Sequence, residues 1–233
     1  MGRKARPRKW LWRSLAALVL ACAIGAGWLW WSVQHWTPDE GTYPEQGIHA
    51  RGSDGAIDFV AAHALGADFA YIDASDGGDG RVPRFGARLE AAREAGIPAG
   101  AVHLFDPCLR ADPQSANFVT VVPRAGDMLP PVIALDVPEN ACADRVSDAA
   151  VESELLTLVN QVEAHTGMHA ILKLSPAFEE RFGIAGKMDR NLWLTRTRFE
   201  PDYVTRPWVL WTANEDLMSE ASEEPVEWMV ARP

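Results

Sequence analysis

Two hydrophobic regimes divide this chain of 233 residues. Ser14 to Val33 is a run of twenty residues without a charge, closing on Trp28-Leu29-Trp30-Trp31. At the helical rise such a run covers the hydrocarbon core of a bilayer. Past Pro38, Gly41 and Pro44 the pattern changes to short apolar runs alternating with amphipathic segments. Gly47 to Ala50 reads as a strand, and Ala56 to Leu65 as a helix with Ile57, Val60, Ala61 and Leu65 on one face. Asp68 to Ala74 is a strand, Pro83 to Gly96 a helix that ends on a glycine, Ala99 to Phe105 a strand and Pro113 to Val122 a helix. Pro131 to Val137 is the fourth strand. Ser147 caps the longest helix, to Gly167, in which Leu155, Leu156, Val159 and Val162 keep helical spacing. Ala170 to Leu174 is the fifth strand, Pro176 to Phe182 a short helix. Asn191 to Thr195, Val209 to Thr212 and Val226 to Val230 are strands without full helices between them.

Strands alternating with helices predict a parallel sheet. Eight strands with eroded late helices predict an irregular TIM-like (β/α) barrel, with reduced helices in the C-terminal part, rather than an open doubly wound sheet. No glycine-rich phosphate loop follows the first strand, which removes the usual nucleotide-binding reading. In a parallel barrel the C-terminal strand ends carry the chemistry. Pro130-Pro131-Val132-Ile133-Ala134-Leu135-Asp136 delivers one carboxylate at such an end, with an alanine two residues earlier on the same side.

Charge divides the chain in the same place. Gly2 to Arg13 holds six of the 22 basic residues and no acid, and no acid precedes Asp39. The expected organisation is a basic cytoplasmic segment at 1–13, a single transmembrane anchor at 14–33, a linker at 34–46 and the barrel at 47–233, with the barrel exported to the periplasm or cell exterior. A cleaved signal sequence competes, since Ala21-Cys22-Ala23 resembles a signal-peptidase site. Cleavage there would leave the apolar Gly27 to Trp31 near a new N-terminus. The exported part keeps 16 of the 22 basic residues against all 32 acidic ones, which makes nucleic acid an improbable partner. Cys108 and Cys142 form an even pair in an oxidising compartment, so a disulfide and two free thiols are the alternatives. A bridge would stabilise by roughly 3–4 kcal/mol in the chain-entropy model.

Four pieces then align in order: Gln46-Gly47-Ile48-His49, the run Asp68 to Gly77 (DFAYIDASDG), Gly100-Ala101-Val102-His103-Leu104-Phe105, and Pro130 to Asp136. With Glu227-Trp228-Met229 on the last strand, they resemble the family 25 glycoside hydrolases, lysozymes that cleave peptidoglycan. The resemblance covers Gln46 to the C-terminus. It implies a distorted β/α barrel, peptidoglycan glycan strands as the ligand and no cofactor.

The resemblance also marks departures. Where the family pattern carries aspartate on the first strand, this chain has His49. The first acid of the fourth-strand pair falls on Ala134 and the second on Asp136, an aspartate in place of glutamate. Glu227 stands for the last-strand aspartate, while Asp73 and Asp76 replace a lysine and a glutamate on the second strand. The candidate catalytic residues are therefore Asp136, Glu227 and His49. Glycoside hydrolysis needs a protonated acid at the leaving oxygen and a second group that activates water or stabilises the oxocarbenium-like state, and Ala134 removes one such charge. His49 is either a base near neutral pH or a hydrogen-bonded structural residue. Asp73, Asp76, His103, Trp193 and Trp211 are candidate substrate contacts, the tryptophans by stacking on sugar rings unless they serve only as core. His63, His165 and His169 lack ligand spacing, so no metal site is expected. Two functions follow: a membrane-anchored muramidase with a remodelled site, or a catalytically silent lysozyme fold that binds peptidoglycan or an envelope protein.

Overall fold

The computed structural model describes residues 8–124, 126–137, 142 and 146–233, so most of the basic N-terminal segment lies outside it. Two compact units result, residues 1–36 and Thr37–Pro233. The first is one helix, α1 (Arg8–Gln34). Its stretch Trp12–Gln34 is long and apolar enough to cross a membrane, a test that a signal sequence also passes. Length and composition carry that statement.

The second unit is a closed barrel. Its elements are β1 (Gln46–Ala50), α2 (Phe59–Ala64), β2 (Ala67–Asp76), β3 (Gly80–Arg81), α3 (Phe85–Glu94), β4 (Ala99–Leu104), α4 (Ala111–Val121), β5 (Val132–Leu135), α5 (Asp148–Thr166), β6 (Ile171–Leu174), α6 (Pro176–Phe182), β7 (Asn191–Thr195), β8 (Leu210–Leu217) and β9 (Val226–Ala231). The sheet runs β1-β9-β8-β7-β6-β5-β4-β2, and β1–β2 pairing closes it; β3 hangs on β2 as a hairpin. Seven strands are parallel. The eighth, β9, runs antiparallel to both β1 and β8, which corrects the expectation of a wholly parallel sheet. The β8–β9 connection is too short for the crossover that a parallel return requires.

Local chemistry fixes the helix ends. Asp58 caps α2, accepting from the Val60 and Ala61 amides; Ser147 caps α5 and Ser175 caps α6. Gly167 stops α5 in the left-handed conformation at φ 74°, where a side chain would be strained. In the segment ahead of β1, Tyr43 is buried, and Gln46 donates its side-chain amide to the Pro38 and Tyr43 carbonyls.

Inside the barrel, Phe69, Tyr71, Val102, Val132, Ile171, Trp193, Leu210 and Met229 pack into one apolar plug. It fills the interior as TIM-type barrels do, and depends on Gly100. A Cβ there would lie 2.3 Å from the Tyr71 ring, so only glycine lets the tyrosine cross β4. Above the plug, inward positions turn from apolar to charged. Cys108 and Cys142 are joined as a disulfide with Cα atoms 5.3 Å apart, tying the loop after β4 to the segment preceding α5.

Candidate functional site

The charged layer forms the floor of a cleft of about 730 Å³ at the C-terminal ends of the parallel strands. The alternation of side chains along each strand determines who reaches it. His49 from β1, Asp73 from β2, Lys173 from β6 and Glu227 from β9 all point inward and meet above the plug. His49 stands at the centre. Its Nε2 lies 2.8 Å from Asp73 Oδ1 and its Nδ1 lies 2.8 Å from Glu227 Oε2. Lys173 Nζ donates to both Glu227 oxygens, at 2.6 and 2.8 Å, and lies 3.0 Å from His49 Nδ1. Glu227 also accepts from the Thr212 hydroxyl, which in turn accepts from Trp193 Nε1 at 2.7 Å. Asp73 accepts the Gly52 amide at 2.8 Å.

Electrostatics decide the protonation states. Burial drives both carboxylates toward the neutral acid, but the cations prevail. Lys173 and then His49 hold Glu227 well below the usual carboxylate range, and His49 holds Asp73 down, helped by the Gly52 amide. Burial and the Lys173 charge push the His49 pKa down, yet Glu227 and Asp73 outweigh them and the net direction is up. An imidazolium fits the geometry, because both ring nitrogens then donate to a carboxylate. With the His49 ring protonated, the floor is two anions and two cations, each compensated by a neighbour.

Around this floor the carboxylates differ. Asp136 follows β5, is exposed, and its side chain accepts only the Val137 amide among the described residues. Asp76 is exposed at the end of β2, its pKa raised by partial burial and then by Asp106, Asp73 and Asp79. A register shift between Asp73 and Ser75 aims both Asp73 and Asp76 into the cleft, although they are three residues apart. Ala134 lines the wall between Leu104 and Lys173, its register partners on β4 and β6. Glu215 and Asp216 complete an acidic rim, faced by Arg51 and the exposed Arg81.

Three expected substrate contacts are displaced. Trp193 is fully buried in the plug, its ring 5.2 Å from His49 and with Lys173 Nζ 4.4 Å above it, so no face is free for a sugar. Trp211 points outward from β8, where it packs on Tyr43 and Trp208 and donates to the Arg196 carbonyl. His103 faces away from the cleft, fully buried between Ser75 and Gln114, with its pKa lowered to about 4 by desolvation. Gln114 Oε1 can only accept, so His103 Nε2 carries the proton and Nδ1 receives the Ser75 hydroxyl. Among the described residues, no Phe, Tyr or Trp lines the cleft.

Lys173 was not singled out from the sequence, although a lone charge between apolar neighbours in Ile171-Leu172-Lys173-Leu174 was the available signal. Among the described residues no group of three or more His, Cys, Asp and Glu is arranged to hold a metal ion. Between Asp73 and Glu227 the cationic place is taken by His49 and Lys173.

A sequence profile of the Glycosyl hydrolases family 25 matches residues 51–216, more than half of the chain. The protein named "Uncharacterized protein YegX" of Escherichia coli strain K12 is 26% identical over 164 residues, covering 70% of this chain and 58% of that protein. Its namesake in strain CFT073 matches over the same shares, so the chain spans less than two thirds of the length of these relatives. Among solved structures, a family 25 glycosyl hydrolase from Bacillus anthracis superposes with a TM-score of 0.77 at 22% identity, covering 86% of this chain and 93% of that one. A bacterial lysozyme from Streptomyces coelicolor gives a TM-score of 0.71 at 21% identity, covering 81% and 92%. These likenesses establish the fold of residues 37–233 as that of the family.

Proposed function

The chain belongs to the family 25 glycosyl hydrolases, and from that premise we propose that its barrel engages peptidoglycan glycan strands as a membrane-tethered domain with impaired hydrolysis. The observation that carries this reading is the compensated floor. Glu227 and Asp73 are buried and ion-paired, so neither can deliver a proton near neutral pH. Their fields are directed at Lys173 and His49 rather than at a developing oxocarbenium charge. Asp136 is left as the acid in the fourth-strand position, one methylene short of glutamate and with Ala134 where the family pattern has its partner. Displacement of a catalytic carboxyl by roughly 1 Å costs on the order of a hundredfold in rate.

The tether supports the same reading. An apolar helix preceded by basic residues holds the domain at the outer surface of the cytoplasmic membrane, within reach of the wall. A cleft without aromatic platforms predicts binding through hydroxyl and amide hydrogen bonds, from Ser53, Ser175, Thr195 and the acidic rim, and hence modest affinity.

The test is muropeptide release from purified peptidoglycan by residues 37–233, beside Asp136→Ala and an active lysozyme. Release equal to buffer from both proteins, with retention on sedimented peptidoglycan, is the expected result. Release by the parent well above Asp136→Ala overturns the impairment. A protein that stays wholly in the supernatant overturns the ligand.

A further inference from the structure

A second concavity, of about 750 Å³, opens at the opposite end of the barrel. Its wall is built where the parallel strands start: Phe69 on β2, Leu129 and Pro130 ahead of β5, Ile171 on β6, and Val209 and Leu210 at β8. These residues form the underside of the apolar plug. Asn191 at the start of β7 and the buried Tyr71 interrupt them with polar groups. Tyr71 lines the basin and is only 3% exposed, yet no described residue hydrogen-bonds its hydroxyl. Burial pushes this phenol well up, so the group is a neutral donor and acceptor.

A largely apolar concavity of several hundred Å³ with a few polar groups, one of them a buried hydroxyl, has the make-up of a small-molecule site. We propose that this basin binds an uncharged amphiphile, a linear alkyl or acyl chain whose hydroxyl or carbonyl head bonds to Tyr71. The rim sets the charge. Glu45 and Asp68 stand at the edge, and the Arg232 guanidinium is drawn onto the Trp208 ring, 5.4 Å from its centroid. Among the described residues, a carboxylate head therefore meets two anions at the rim against the single cation Arg232. A neutral head meets a waiting hydroxyl. An unpaired buried hydroxyl is costly, and a ligand that bonds to it removes that cost.

The barrel unit Thr37–Pro233 closes on its own core and serves as the test protein. Nile red fluorescence reports occupancy, with 1-decanol and decanoate as competitors. Saturable Nile red binding, displaced by 1-decanol at lower concentration than by decanoate, is expected. Tyr71→Phe weakens 1-decanol about tenfold, the loss of one hydrogen bond in a dry site. Ala231→Phe, which fills the basin from its rim at the end of β9, abolishes dye binding while keeping the fold by circular dichroism. Absence of saturable binding overturns the site. Dye binding unchanged in Ala231→Phe moves it elsewhere and overturns this assignment. A preference for decanoate overturns the uncharged class.

Discussion

Replacing Lys173 by methionine isolates the buried charge network, because methionine keeps a stem of similar length over Trp193 and removes only the ammonium. Lys173 Nζ is 2.6 Å from Glu227 Oε1, with side chains 14% and 5% exposed. The surface holds a pair of nearly equal length, Lys187 to Glu152 at 2.8 Å, with exposures of 43% and 40%. Distance is therefore nearly constant and burial is the variable. Breaking a buried pair strands a desolvated charge and costs about 3–5 kcal/mol, whereas an exposed pair is worth about 0–1 kcal/mol. In a domain of this size each kcal/mol moves the melting temperature by about 2–4 °C. Lys173→Met should thus lower it by roughly 6–20 °C and Lys187→Met by less than about 4 °C. Adding Glu227→Gln to Lys173→Met removes the stranded anion and leaves His49 paired with Asp73, so the double variant should melt above Lys173→Met. Scanning calorimetry of the disulfide-intact barrel at pH 7 reads all four proteins. Equal shifts from the two lysine variants would refute the argument that this floor is desolvated.

Three further outcomes follow from the same structure. His49 and His103 impose opposite pH slopes. The raised His49 pKa gives a contribution that is complete below about pH 6.5 and fades as pH rises through the higher folded value. His103, lowered to about 4, costs stability as pH falls from about 6.5 towards 4, by about 3 kcal/mol in all. Denaturant midpoints between pH 5 and 9 should lose their acid limb in His103→Asn and their alkaline limb in His49→Gln; unchanged or exchanged limbs count against these states. Reducing Cys108–Cys142, which are 34 residues apart, should cost roughly 3–4 kcal/mol in urea melts, and a shift below about 1 kcal/mol would show that the bridge constrains little. Ala134→Asp alone should leave muropeptide release at background, since its β6 register partner Lys173 draws the new carboxylate into an ion pair. Clear release from that single variant contradicts it.

The barrel was legible because its strands are short apolar runs bounded by glycine and proline, buried on both faces as parallel strands are. The direction of β9 was not read, although the brevity of its connection to β8 carries that information. Nothing announces β3, whose two residues have no pattern of their own. Alternation along the strands should have sorted the tryptophans. Trp193 is the register partner of the inward Lys173 and shares its parity, while Trp211 alternates with the inward Leu210 and Thr212 and must face out. Asp76 escaped that parity because the bulge after Asp73 shifts it by one. His49, Asp73 and Glu227 could each be picked out singly. Their meeting, with Lys173, could not, since it depends on strands 1, 2, 6 and 9 closing around one axis.

Closure also changes what a missing acid means. A barrel floor with one carboxylate deleted would retain an uncompensated negative field from the others, and restoring the acid would suffice to rebuild a cleft for positive charge. Here the two buried carboxylates already face two fixed cations at hydrogen-bond distance. A sugar acquiring positive charge above them gains little from Glu227 or Asp73, and meets Lys173 and His49 as like charges. On the proposed reading of impaired hydrolysis, the barrier is therefore electrostatic before it is geometric. That reading predicts that muropeptide release rises only when the cations at 173 and 49 are removed as well as acids placed at 134 and 136, whereas adding acids alone only extends the network.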